Sequence, residues 1–212
     1  MSQDTTPADV PGVEYWRTRA RELGARAVVN LDHPESAGLD DVSADHRGLI
    51  LPLLAAELDG SERTVLDLGC GVGRFSADLA ELVDGRAVAV DPTPELLALA
   101  PAHDRVSYRE MVAGVLPLVD GEADVVFTSM VLGGIPAGPL ERTLDEVRRV
   151  LAPDGLLLLV ESVAPEDAVD SGAWTSRTLA DYGALLPWAS LRAVGSYDDA
   201  GDAVTIMVGR RR

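Results

Sequence analysis

Val65-Leu66-Asp67-Leu68-Gly69-Cys70-Gly71-Val72-Gly73-Arg74-Phe75-Ser76 decides how this chain is read. It opens as a short apolar strand and breaks into three glycines at alternate positions. It then continues with Phe75, Leu79 and Leu82 at helical spacing. A strand that runs through a glycine-rich turn into a helix is the nucleotide-cradling unit of α/β proteins. Glycine permits positive φ there and lets the backbone approach a ligand, because no Cβ intervenes. The pattern is D-x-G-x-G-x-G. It does not fit the dinucleotide fingerprint G-x-G-x-x-G, whose third glycine would fall on Arg74 counted from Gly69, or on Ser76 counted from Gly71. The Asp67 carboxylate would repel a pyrophosphate and suits a ligand with an ammonium group.

Downstream, strand and helix signals alternate, as in a parallel sheet covered on both faces. Strands are expected at Thr64 to Leu68, Ala87 to Val90, Val106 to Tyr108, Val125 to Thr128 and Leu156 to Glu161. Helices are expected from Pro94-Glu95, over Pro139 to Leu151, and over Ser171 to Leu186. Leu191 to Gly195 and Ala203 to Val208, joined by Asp198-Asp199-Ala200-Gly201-Asp202, read as an antiparallel hairpin. Upstream, Met1 to Gly12 reads as a frayed arm and Val13, Trp16, Ala20 and Leu23 as a helix ended by Gly24. Ala25 to Asp41 reads mainly as loop. A second helix, with Ser43 as its N-cap and Pro52 as a kink, carries Leu49, Ile50, Leu53, Leu54 and Leu58 on one face.

With these elements in order, the chain resembles the class I S-adenosylmethionine (SAM) dependent methyltransferases of small-molecule type. The resemblance covers residues 64–161 and rests on four elements. The first is the glycine loop. The second is Asp91, which ends the second strand twenty residues beyond Gly71, where a carboxylate meets ribose hydroxyls; its plainer reading is a turn carboxylate before Pro92. The third is Met111 to Leu118, ending in Leu116-Pro117-Leu118 and similar to a family stretch ending Leu-Pro-Phe. The fourth is Arg149 to Gly155, similar to the family's Leu-Lys-Pro-Gly-Gly turn. The resemblance implies an α/β, Rossmann-like, seven-stranded, mostly parallel sheet. Its order would be 3-2-1-4-5-7-6 with the last strand antiparallel, helices on both faces and an N-terminal helical lid. Residues 1–60 would be arm and lid, and 61–212 the SAM-binding core of one structural domain.

The cofactor implied is S-adenosyl-L-methionine, leaving as S-adenosyl-L-homocysteine (SAH). The residues implied to hold it are Asp67, Gly69, Cys70, Gly71, Gly73, Asp91, Pro92, Met111, Val112 and Ser129, with Arg47 or Arg17 for the methionine carboxylate. Family members often bind the adenine amino group with an Asp where this chain has Val112, which leaves the backbone of Met111 and Val112, or Glu110, for that edge. Cys70 reads as a small residue beside the cofactor rather than as a nucleophile.

SAM arrives activated for displacement, so orienting the acceptor supplies most of the catalysis, and a base is needed only for a protonated nucleophile. Of three histidines, His33, beside Asp32 and Glu35, is the candidate base. His46 lies on the second helix, and His103 reads as surface loop. Acceptor contacts are expected from Tyr15, Trp16, Met130, Leu132, Ser162, Trp174, Arg177 and Tyr182. The chain has neither an Asn-Pro-Pro-Tyr type motif after the fourth strand nor a histidine near Gly133-Gly134.

The net charge of −17 argues against a large nucleic-acid footprint, and no apolar run has membrane-spanning length. All 18 basic residues are arginines. The single cysteine excludes an internal disulfide framework and a cysteine metal cluster, and no metal-ligand spacing stands out. The expectation is a cytoplasmic monomer or homodimer moving a methyl group to oxygen or nitrogen of a small molecule, without nucleic-acid or membrane partners. Two alternatives stay open: a protein methyltransferase, through Trp174-Thr175-Ser176-Arg177 and the acidic surface, and a SAM-binding protein without transfer activity.

Overall fold

A computed structural model describes residues 12–34, 36–112, 114–164, 174–175 and 177–212. The seven strands are β1 (Thr64–Leu68), β2 (Arg86–Asp91), β3 (Val106–Glu110), β4 (Ala123–Ser129), β5 (Leu151–Ser162), β6 (Arg192–Asp199) and β7 (Asp202–Arg210). They form one sheet in the order β3-β2-β1-β4-β5-β7-β6, as expected. β1 pairs parallel with β2 and with β4, β2 with β3, and β4 with β5. β7 runs antiparallel between β5 and β6. Pairing of Ser162 with Val204 carries the β6–β7 turn past the C-terminal end of β5, onto the sheet edge where the glycine loop begins.

β1 is buried at every position because both sheet faces are covered. Leu66, Leu68, Val88 and Val90 face a cluster with Leu140, Leu144 and Val147 of α5 (Ala137–Val150). Val65, Val125 and Phe127 face the other cluster, with Ile50 and Leu54 of α2 (Leu39–Ala55) and Leu79 of α3 (Ser76–Leu82). Ile50 and Leu54 are fully buried, each worth about 1.5–3 kcal/mol of apolar transfer. α2 is therefore welded to the sheet. Its N-cap is Gly38 rather than Ser43, which lies inside the helix and accepts a hydrogen bond from Arg74. Pro52 falls in its last turn, where ending the helix costs little.

α1 (Val13–Leu23) is followed by a 3₁₀ turn, Gly24–Val28, where the sequence reads as loop. Ala20 and Ala27 from this lid pack on Val72 of the glycine loop and on Leu96 of α4 (Pro94–Leu97), and Arg17 and Arg21 pair with Glu95. α6 covers Leu179–Leu185, shorter than the helix expected from Ser171; residues 171–173 and Ser176, like the arm to residue 11, Glu35, Ala113 and 165–170, lie outside the described residues. A capping box between Thr178 and Asp181 starts α6 at this point. Among the described residues no helix is long and apolar enough to cross a membrane.

Candidate active site

Gly69, Gly71 and Gly73 hold φ of +71°, +55° and +76°, so the glycines are required by the turn itself. The loop spends its amides internally. Gly69 and Cys70 N–H donate to the Val90 carbonyl at 2.8 and 3.0 Å, and Gly73 N–H to the Cys70 carbonyl at 2.8 Å. Gly71 N–H donates to Asp91 Oδ2 at 2.9 Å. Donors committed in this way cannot cradle a pyrophosphate, which agrees with the failed dinucleotide fingerprint.

Asp91 also accepts from Thr93 N–H through Oδ1 at 2.8 Å. Each carboxylate oxygen keeps a further acceptor position, on a residue that lines the central cavity. Vicinal ribose hydroxyls match that spacing. Burial raises the Asp91 carboxyl, while the Thr93 and Gly71 amides oppose the shift. Asp67 lies at the cavity floor and accepts from the Ser76 hydroxyl at 2.6 Å. Burial pushes it up to about 7, against the Ser76 hydrogen bond, with Asp91 adding repulsion. A cationic ligand beside it would return it to the ionised form.

The cavity holds about 950 Å³, at the upper end for small-molecule sites. It runs from Asp91, Pro92 and Met111 over Gly69, Cys70 and Gly71 to the lid and the β6–β7 turn. Ser129, Met130, Ser162, Trp174, Tyr15 and Trp16 line it. Met130 sits at φ +55°, a strained setting for a non-glycine residue, directly at the end of β4. The Trp174 indole lies over Gly133 and Gly134, where a Cβ on Gly134 would come within 2.9 Å of it. This explains why no larger side chain occupies that position.

Other expectations need correction. Leu132 is buried in the core and its N–H binds Glu161. Tyr182 is 0% exposed, and its hydroxyl donates to the Ser162 carbonyl. Arg177 is buried and donates to the Leu132 carbonyl at 3.0 Å. These three build the wall behind the cavity. Gly73 makes room for the Tyr108 ring rather than for a ligand. Val112 is 64% exposed and bridges to Val115, outside the cavity lining, while Met111 N–H is taken by the Asp91 carbonyl. Arg47 donates to the Arg74 carbonyl and faces Asp78 at 3.6 Å, away from the cavity lining. Cys70 is buried and its thiol is pushed up by burial and by Asp67 and Asp91, so it is no nucleophile.

His33 is also displaced. Its Nε2 lies 2.6 Å from Asp199 Oδ1, behind the cavity wall rather than on it. His46 does line the cavity and reaches the same oxygen at 3.1 Å. Asp199, Asp202, Asn30, Tyr197 and Arg74 also line the cavity, and the sequence offered no spacing that would single them out. Asp199 and Asp202 sit in a run that reads simply as a turn.

Residues 65–155 match the family model of the methyltransferase domain. The chain is 28% identical over 183 residues to an uncharacterized methyltransferase of Synechocystis sp., covering 80% of this chain and 85% of that protein. The matched stretch carries a methyltransferase domain. An arsenite methyltransferase of Halobacterium salinarum is 32% identical over 149 residues, 62% of this chain and 38% of that protein. The chain spans 38–56% of the length of that relative and the three after it. Among solved structures, a complex of DhpI with SAH superimposes with a TM-score of 0.66 at 20% identity, covering 94% of each chain. That likeness shows the shared fold. The residues present fit SAM: the loop with spent amides, Asp67 and Asp91 would form its holder.

Two fully buried carboxylates give the methyltransferase a pH signature. Glu161 accepts from Val131 and Leu132 N–H at 3.0 and 2.9 Å, has no partner for Oε2 among the described residues, and is pushed by burial up to about 7. Asp67 behaves alike. Their folded values exceed the unfolded ones, so the native state binds more protons between them, and stability is greatest below the unfolded values and falls as pH rises through about 7. The unfolding free energy should decline between about pH 4 and pH 7, by up to about 1.4 kcal/mol per pH unit for each group, and level off above that. Asp67→Asn should flatten that slope. A pH-independent midpoint in the wild type would overturn this assignment.

Proposed function

We propose that this methyltransferase transfers the methyl group of SAM to an oxygen or nitrogen of a small molecule. The observation that carries the reading is the continuity of one cavity from the Asp91 ribose position, past the glycine loop, to a chamber roofed by Tyr15 and Trp16 and bounded by Met130, Ser162 and Trp174. The N-terminal helix packs beside the loop, and the cavity, about 950 Å³, has small-molecule size. The name of the Halobacterium relative also specifies a small acceptor, arsenite. Arsenite itself is not carried over, because this chain's single cysteine is buried with its thiol held protonated and offers no set of soft thiolate ligands. The net charge of −17 supports the absence of a nucleic-acid partner, and we take the chain as cytoplasmic.

Bound SAM supplies a sulfonium-activated methyl group. Asp91 holds the ribose, Asp67 balances positive charge at the methionine end, and the lid excludes water. The loops after β4 and β5 orient the acceptor, and that orientation supplies most of the rate. Calorimetry should show saturable SAH binding, and incubation with labelled SAM and cell extract should put label into low-molecular-weight material. Label appearing only in protein would favour protein methylation. SAH binding with no transfer to either fraction would favour a non-transferring SAM protein.

A further inference from the structure

We propose that Asp199 anchors an ammonium group carried by the methyl acceptor, a reading that deepens the proposed small-molecule methyl transfer and rests on it. His33, His46 and Asp199 present ligand atoms all within 4.8 Å of one another, a set that invites a metal. Arg74 decides against one. Its Nη2 lies 2.7 Å from His46 Nδ1, and a guanidinium can only donate. Burial lowers Arg74 only to about 10, so it is charged at neutral pH. His46 Nδ1 is therefore the acceptor, and the ring proton sits on Nε2, which donates to Asp199 Oδ1 at 3.1 Å. A metal on Nε2 would need an imidazolate beside a guanidinium.

The network instead fixes one carboxylate. Oδ1 takes both imidazoles, and the Asp199 backbone carbonyl takes Asn30 Nδ2 at 2.7 Å. Burial raises the carboxyl, but the hydrogen bonds from His46 and His33 outweigh it and hold Asp199 below the usual range. Asp199 is 6% exposed and lines the cavity, and among the described residues its Oδ2 has no hydrogen-bond partner. An ionised oxygen that keeps accessible surface on a residue lining a ligand chamber is open to a charged donor. Of the three guanidiniums that line the cavity, Arg142 belongs to α5, and the other two are committed elsewhere. Arg74 serves Ser43 Oγ, the Val28 carbonyl and His46; Arg19 serves the Ala27 and Val29 carbonyls and the Tyr15 hydroxyl. Asp32 and Asp202 add negative charge to the same cavity, and Tyr15, Trp16 and Tyr197 supply aromatic surface. A carboxylate among aromatic rings is the chemistry that recognises an ammonium.

The test is calorimetry on SAH-saturated protein with phenethylammonium and with phenethyl alcohol as its uncharged counterpart. The wild type should bind the ammonium about tenfold or more tightly than the alcohol, and Asp199→Asn should lose about tenfold for the ammonium alone, with SAH affinity changed by no more than about twofold. No ammonium binding, or equal binding of the alcohol, overturns the proposal. So does an Asp199→Asn defect confined to SAH, which would assign the carboxylate to the cofactor's own amino group. Stoichiometric zinc binding abolished by His46→Ala would overturn it in favour of a metal. If Asp199→Asn does not fold, the wild-type comparison of the two probes still decides. Failure of SAH itself to bind would instead sink the broader reading.

Discussion

Asp91→Ala weakens SAH binding by about two orders of magnitude, the largest expected single-residue effect on the cofactor. The carboxylate does two jobs at once. It ties the Gly71 and Thr93 amides together at 2.9 and 2.8 Å, which sets the curvature of the loop, and it presents its remaining acceptor positions to the cavity. Alanine removes the ribose acceptors and leaves two buried N–H groups without a partner. Charge-assisted hydrogen bonds contribute about 1.5–3 kcal/mol each, and losing about 3 kcal/mol of binding corresponds to roughly a hundredfold. Asp91→Asn, which can still accept from one amide, should fall between alanine and wild type. Calorimetric titration with SAH reads both. An affinity for Asp91→Ala within about threefold of wild type would show that the ribose is held elsewhere.

Gly69→Ala comes second, and it damages stability and binding together. Gly69 sits at φ +71°, where an L side chain costs about 1–2 kcal/mol. Its Cβ would also press into the Val131 side chain, with Cγ1 at 2.9 Å and Cγ2 closer. Neither side has room to yield. The Gly69 amide is bound to the Val90 carbonyl, and the Val131 amide to buried Glu161. The strain therefore passes into Met130, which lines the cavity. A loss of about 2 kcal/mol should lower the unfolding midpoint by about 4–8 °C in a chain of this size, and SAH affinity should drop about tenfold. Scanning calorimetry and SAH titration check the two halves. A Gly69→Ala protein with wild-type midpoint and affinity would contradict the tight approach of the two loops.

The strand order and the cofactor loop were legible in the residues because both are local. A parallel strand reads as an apolar run, and a turn that needs positive φ reads as glycine. Asp91 was legible through its distance from Gly71 in a βαβ unit, which geometry constrains closely. Leu132, Arg177 and Tyr182 misled because a residue beside a site in sequence can point away from it. Tyr182 packs its ring into the core, and Arg177 caps a carbonyl behind the cavity. Val112 misled for a different reason: the bridge to Val115 turns it into solvent.

By itself, the sequence determined the α/β sheet and placed the glycine loop and Asp91 together, since each depends on neighbours within a few tens of residues. The tertiary structure alone decided what faces the acceptor. His33 and His46 belong to the lid loop and α2, Arg74 to the glycine loop, and Asp199 to a hairpin some 150 residues further along the chain than either histidine (separations 166 and 153). No local periodicity links such residues. They meet because β7 inserts antiparallel between β5 and β6 and returns its turn to the sheet edge where the cofactor loop begins, so the cofactor end was readable in advance and the acceptor end was not.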